Sequence, residues 1–258
     1  MRRGMSWKPI VVSLLVLFLI WAVAALVVNL PILPTPWVVV STFVLDLPHG
    51  LGWHILMSGW RIVVSLLIAT AVGLPLGLVL GQSKRLSRLF RPFIYTTYPI
   101  PKITLLPIII LFLGIGEVGK IFLLSLILFY QVLIIVRDAS AGVQPELIHS
   151  VRSLGANRMQ LLRYVYFPAC LPAILTSLRI STGIVIAVLY VAESFATKSG
   201  LGYLIMDAWQ ALAYPQMYSA ILALCLLGLV LYFSFDLIEK RFCRWVAIGE
   251  HYKEAGYV

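Results

Sequence analysis

From Ile10 to Leu30 the chain runs without a charged side chain. That is the length a helix needs to cross the hydrocarbon core of a bilayer, roughly 20 mostly apolar residues. Five more stretches of this kind follow, at about 62–81, 94–113, 121–136, 172–192 and 218–237. Composition points the same way, because 61% of the 258 residues are hydrophobic and only 12% are charged, against about 25% charged in a soluble domain. A soluble fold of this length has too little interior to hide so much apolar surface. The expected fold class is therefore all-α, a polytopic membrane protein with six transmembrane helices, read as a single domain over residues 1–258. The third and fourth stretches are separated only by Gly114 to Lys120, so a re-entrant pair in place of two spans is the alternative there. The first stretch has the charged start of a signal peptide, but its apolar run is too long and no small-residue cleavage site follows. It reads as a retained helix.

Basic residues near span ends mark the cytoplasmic side. Arg2, Arg3 and Lys8 precede the first span, Lys84, Arg85, Arg88 and Arg91 follow the second, and Arg137, Arg152, Arg158 and Arg163 follow the fourth. Lys240, Arg241, Arg244 and Lys253 follow the sixth. The opposite segments hold Arg61, Lys120 and Lys198, and Lys102 and Arg179 fall within or beside apolar stretches. Six alternating spans with both termini in the cytoplasm fit this pattern, and the formal net charge of +10 is then mostly a topology signal. Nothing arranges these charges into a groove for nucleic acid, and no nucleic-acid partner is expected. Cys170, Cys225 and Cys243 form no close pair and read as apolar fillers or free thiols, and the four histidines are scattered, so no metal site is expected.

The most informative stretch outside the spans is 137–169. Pro145 suits the first position of a helix, and Leu147, Val151 and Leu154 follow at helical spacing, with Ile148 beside them. Gly155 interrupts, and Met159, Leu161 and Leu162 begin a second amphipathic turn leading to Pro168. The expected form is a short helix, a glycine bend and another short helix near the membrane surface. Two uses compete: an interfacial helix that rests its apolar face among headgroups, or a docking helix for a groove on a soluble partner.

The residues Glu146 to Pro168 resemble the EAA signature of permease subunits of binding-protein-dependent ABC importers, in which Glu-Ala-Ala is followed by three residues, a glycine and, about a dozen residues on, a proline. His149, Ser150 and Val151 occupy the first three positions, Gly155 stands in Ser153-Leu154-Gly155-Ala156, and Pro168 closes the motif. The glutamate and both alanines of the pattern are absent; the spacing is kept. The resemblance extends from about Trp60 to the C-terminus and is closest to permeases of the nitrate, sulfonate and taurine family. It is carried by Pro99-Ile100-Pro101-Lys102 with Leu106-Pro107 and Phe112-Leu113-Gly114-Ile115-Gly116, by Leu171 to Leu175 with Leu178-Arg179, and by Ala192-Glu193 with Gly200 to Leu204.

The resemblance implies a type I ABC importer permease fold with a core over residues 60–245 and a cytoplasmic coupling helix within 137–169. It implies two cytoplasmic ATPase subunits on that helix, a second permease copy, a periplasmic or lipid-anchored substrate-binding protein, and residence in a bacterial inner membrane. The coupling residues it indicates are Glu146, His149, Ser150, Val151, Leu154, Gly155, Ala156 and Pro168. The chain has no Walker-type glycine loop, so it is expected to hold no cofactor and no catalytic residue, with ATP and magnesium bound by the partner subunits. Ionisable groups inside spans are the default substrate-path candidates, which singles out Arg61, Arg179 and Glu193. Each also has a plain reading: Arg61 as an interfacial anchor, Arg179 reaching for headgroups, Glu193 paired with Lys198. Ser177, Ser181 and Thr182 either offer hydroxyls to an oxyanion or satisfy carbonyls of their own helix. The expected cargo is a small oxyanion such as a sulfonate, nitrate or taurine. A thiamine or riboflavin precursor is the alternative, and a secondary transporter or a membrane scaffold is the rival class.

Overall fold

Proline and glycine positions set the breaks between the elements. A computed structural model describes residues 7–195, 197–243 and 245, and among these the regular structure is entirely helical. The helices are α1 (Trp7–Val28), α2 (Pro36–Asp46), α3 (Gly52–Gln82), α4 (Lys84–Thr97), α5 (Leu106–Leu113) and α6 (Glu117–Ala141), followed by α7 (Pro145–Ser153), α8 (Arg158–Leu161), α9 (Phe167–Ser194), α10 (Leu201–Gln210) and α11 (Tyr214–Phe242). Arg2, Arg3, Arg244 and Lys253, which entered the topology argument, lie outside the described residues.

Among the described residues, five helical segments are long and apolar enough to cross a membrane: Val11–Val28, Pro36–Gln82, Glu117–Ala141, Arg158–Ser194 and Tyr214–Phe242. A sixth results if the bent pair Lys84–Thr97 and Lys102–Leu113 counts as one span. The stretch 94–113 is thus not the straight span that its apolar length suggests, because its two halves meet at 76°. Pro99 and Pro101 lie at the break, where each withholds a backbone N–H and disfavours helix in the residue before it. The segment after Gly116 is a full-length helix, Glu117–Ala141, whereas the third stretch is a bent pair, the form of a broken span or a re-entrant loop. Helices α3, α6, α9 and α11 extend past both ends of the apolar runs read from the sequence, while α1 starts before its run and stops at Val28, since hydropathy marks the lipid-facing length and not the helix ends.

The chain divides into two compact units. The first contains α1, α2, residues 52–59 of α3, 190–194 of α9, α10 and residues 214–229 of α11. Here Val39, Leu51, Leu201 and Ala220 are buried, and Trp21 stacks on Tyr218 with ring centroids 6.1 Å apart. Leu15, Leu17 and Leu19 of α1 are exposed, as suits a span whose solvent is lipid.

The second unit contains residues 60–189 and 230–244, except Arg244, which is outside the described residues. Its core joins Leu78 of α3, Val132 and Val136 of α6, and Cys170, Ile174 and Leu178 of α9. Gly73, Gly77 and Gly81 form a stripe along α3 on which α6 rests: a Cβ on Gly73 would lie 3.2 Å from Val132, and one on Gly81 would lie 2.5 Å from the carbonyl oxygen of Arg137. Small residues four apart let two helix backbones approach in this way. Gly114 and Gly116, by contrast, have open space where a side chain would be. Gly114 serves a turn instead, with φ +78.

Candidate functional site

The connection between α6 and α9 has the form expected from its sequence. Pro145 begins α7, Gly155 has φ +86 and its N–H donates to the carbonyl of Arg152 at 3.0 Å. A left-handed residue just past a helix end is the usual glycine stop. Asn157 then caps α8: its side chain accepts from the Gln160 N–H at 2.9 Å, and the Gln160 side chain accepts from the Asn157 N–H at 2.8 Å. These reciprocal bonds satisfy two otherwise orphaned donors. Helical structure runs on from Arg158 through a wider π-type turn at Leu162–Tyr166 into α9, so Pro168 lies inside the first turn of a long helix and ends nothing.

Of the residues singled out here, Glu146, His149, Ser150, Leu154 and Gly155 are exposed, while Val151, Ala156 and Pro168 are half-buried. Leu154 is 86% exposed, and Leu147 and Met159 are exposed beside it. Leu161 and Val165 are buried and tie the element down. The result is a short helix, a glycine bend and a second short helix on which Leu147, Leu154 and Met159 are exposed together with Glu146, Arg152 and Arg158.

The three ionisable candidates all have intramolecular partners. Arg61 is 0% exposed and makes a bidentate pair with Glu117, Nε to Oε2 and Nη2 to Oε1, both 2.6 Å; Lys120 adds a contact to Glu117 at 3.7 Å. A planar guanidinium fork matches a carboxylate in this geometry. Arg179 of α9 reaches Asp236 of α11 at 2.9 Å and Glu239 at 3.2 Å, with its guanidinium 5.7 Å from the Tyr232 ring centroid. Thr176 donates to Glu239 at 3.0 Å, and Lys240 pairs with Asp236. Glu193 is fully buried in the first unit, where it accepts from the Ser58 hydroxyl and from the Gly202 N–H at 2.9 Å. Ser58 accepts from the Leu201 N–H at 2.8 Å, and His54 Nδ1 accepts from the Gly200 N–H at 3.0 Å. These bonds hold the N-terminus of α10, where backbone donors otherwise lack partners.

Sequence reasoning named Arg61, Arg179 and Glu193 but not the groups that hold them: Glu117, Asp236, Glu239 and Ser58. The signal was present, because a charge inside an apolar span calls for an opposite charge on a neighbouring span. Lys102 was also passed over. Its ammonium donates to the carbonyls of Thr97, Tyr98 and Ile100 at 3.2, 3.0 and 3.3 Å and lies 4.3 Å from the Tyr130 ring centroid. It occupies the break between α4 and α5, where carbonyls lose their helical donors. Ser181 and Thr182 donate to carbonyls of their own helix, those of Ser177 and Leu178. The Ser177 hydroxyl is buried without a hydrogen bond. Cys170, Cys225 and Cys243 are free, and no group of His, Cys, Asp and Glu suited to a metal occurs among the described residues.

Long apolar spans, ion pairs between helices and an exposed helix, glycine bend and second helix between two spans define a multi-pass membrane protein. Residues 73–246 match the family described as binding-protein-dependent transport system inner membrane component. The chain belongs to that family of ABC importer permeases. It is similar to the taurine transport system permease protein TauC of Escherichia coli, with 32% identity covering 87% of this chain and 84% of that one. It is also similar to the putative aliphatic sulfonates transport permease protein SsuC of Bacillus subtilis, with 32% identity covering 95% and 90%. The riboflavin transport system permease protein RibX of Chloroflexus aurantiacus is 32% identical over 92% of this chain and 89% of its own. Among solved structures, a chain of the inward-facing methionine ABC transporter MetNI matches with a TM-score of 0.61 at 21% identity, covering 73% of this chain and 94% of that chain. At that identity the likeness shows the fold, the type I importer permease fold.

Proposed function

We propose that this chain imports a small sulfonate such as taurine across the inner membrane, driven by two cytoplasmic ATPase subunits that dock on α7. The observation that carries the coupling role is the element from Pro145 to Gln160, a short helix and a second, capped one joined at Gly155, with Leu147, Leu154 and Met159 exposed. Exposed apolar side chains on a short helix are what a groove on a soluble partner accepts. The family supplies the kind of partner, and the taurine and aliphatic sulfonate permeases among the relatives supply the cargo class. In this reading α7 lies on the cytoplasmic side with both termini, a second copy of the permease completes the translocation path, and an external binding protein delivers the cargo. ATP and magnesium act in the ATPase subunits, and closure of those subunits moves α7 and, through the continuous helix from Arg158 to Ser194, the span beyond it.

Arg61, Arg179 and Glu193 enter this mechanism as braces that keep the moving helices in register, since each already has an intramolecular partner. The test is uptake of labelled taurine and of riboflavin by vesicles containing the reconstituted complex. ATP-dependent taurine uptake that is lost when α7 is scrambled supports the reading. Riboflavin uptake with no taurine uptake moves the cargo to the vitamin class, which the relative from Chloroflexus aurantiacus represents. Unchanged transport with a scrambled α7 ends the coupling role.

A further inference from the structure

The basic helix α4 adjoins an apolar cavity that the importer mechanism does not use. The cavity, about 290 Å³, is lined by Leu76, Val79 and Leu80 of α3, Phe90 and Ile94 of α4, and Leu133 of α6, among others. It is open on one side: Leu76, Val79 and Phe90 are exposed, while Leu80, Ile94 and Leu133 are buried.

The helix α4 beside the cavity carries charge of one sign. Helix α4 contains Lys84, Arg85, Arg88 and Arg91 and no acidic residue, and all four basic side chains are exposed. Arg91 lies one turn before the cavity residue Ile94 and places its guanidinium 5.4 Å from the Tyr95 ring centroid. Arg137, one turn beyond the cavity residue Leu133, places its guanidinium 5.6 Å from the same ring. Two like charges thus converge on one aromatic ring. Asp138 takes up only the Nε and Nη2 side of Arg137, at 2.8 and 2.7 Å. Nη1 of Arg137, on a side chain only 8% exposed, has no hydrogen-bond partner among the described residues. An unused donor on a buried guanidinium is costly unless an acceptor reaches it.

An apolar cavity beside the exposed guanidiniums of α4 matches one ligand chemistry: an acyl chain joined to an anionic phosphate. Basic pockets beside spans hold lipid headgroups for this reason, and the aliphatic parts of arginine side chains let the charge reach headgroup level. We infer that this cavity is a binding site for an anionic phospholipid, with one acyl chain between α3, α4 and α6 and the phosphate held by the exposed Arg88 and Arg91 of α4.

The test is native mass spectrometry of the full chain in detergent, titrated with dioleoyl phosphatidylglycerol or with dioleoyl phosphatidylcholine, which has the same chains and no net charge. The expected result is retention of phosphatidylglycerol at least tenfold tighter than phosphatidylcholine. The double variant Arg88→Gln/Arg91→Gln, on exposed positions, removes that preference, and Val79→Phe, which fills the cavity from its open side, lowers retention of both lipids. Variants are compared at equal elution volume and melting temperature, so that misfolding is not read as lost binding. Equal retention of the two lipids by the unaltered chain overturns the inference, as does a preference that survives the double variant. Efficient copy-to-copy disulfide formation by a Phe90→Cys variant in native membranes also overturns it, because a second permease copy then covers the cavity.

Discussion

Gly77 of α3 lies so close to Val136 of α6 that a Cβ on the glycine would stand 2.7 Å from the valine Cβ and 2.9 Å from the carbonyl oxygen of Leu133. Two of these neighbours are main chain or rigidly branched, and Val136 is fully buried, so neither yields easily. Gly77→Ala is expected to destabilise the second unit by about 1–3 kcal/mol, the cost of overpacking a filled core. Gly77→Leu is expected to prevent accumulation of folded protein. The comparison is Gly59→Ala, whose Cβ would meet only a side-chain methyl of Leu227 at 3.7 Å and is expected to be nearly neutral. Thermal unfolding in detergent, followed by fluorescence-detected size-exclusion chromatography, checks the ranking.

The pairing of Arg61 with Glu117 gives a second expectation. Arg61 has no exposure, while the Glu117 side chain is 41% exposed. Removing the carboxylate therefore takes a bidentate acceptor from a fully buried guanidinium, whereas removing the arginine leaves a carboxylate that water can reach. Glu117→Ala is expected to destabilise the chain more than Glu117→Gln, which keeps one acceptor oxygen at the guanidinium. If the two variants are equally unstable, the hydrogen bond adds nothing beyond the charge. Melting temperatures of the wild type and the two variants decide this.

Much of this architecture was legible in the sequence, and the reasons differ from element to element. The spans were visible because lipid imposes length and apolarity together, and α7 was visible because Pro145 and Gly155 act through local backbone sterics. The break at Pro99 and Pro101 was visible as residues but not as an angle of 76°, since hydropathy counts length without direction. The partners of Arg61, Arg179 and Glu193 stand 56, 57 and 135 residues away along the chain, and no local pattern encodes such pairings. Glu193 shows the consequence: in sequence it is an intramembrane acid with no visible partner, and in the fold it accepts from Ser58 and from the Gly202 N–H at the start of α10.

Those bonds give a third expectation. Glu193 joins Ser58 to the Gly202 N–H, and Ser58 in turn accepts from the Leu201 N–H. Glu193→Ala leaves the Gly202 donor without that acceptor in a buried place, a loss of about 1–3 kcal/mol. Local opening is expected to follow, so the amides of Leu201 and Gly202 exchange with deuterium faster, while amides of the second-unit core around Val132 and Val136 keep their protection. Uniform loss of protection across both units would show instead that Glu193 supports the whole chain.

The conformation of Gly155 separates the shape of the α7 element from its surface. With φ +86 and no atom within 4 Å of an added Cβ, Gly155→Val meets no clash and only backbone strain, about 1–2 kcal/mol for an L-residue held left-handed. That strain is expected to shift the end of α7 away from its capped geometry without unfolding the spans, since the residue is exposed and packs on nothing. Leu154→Ser leaves the backbone alone and removes the most exposed apolar side chain of the element. If the element docks an ATPase subunit, both variants lose co-purification with that subunit by tenfold or more while their melting temperatures stay within a few degrees of wild type. A Gly155→Val protein that loses the ATPase beside a Leu154→Ser protein that keeps it would mean that the partner reads the backbone turn, with Leu154 facing headgroups instead.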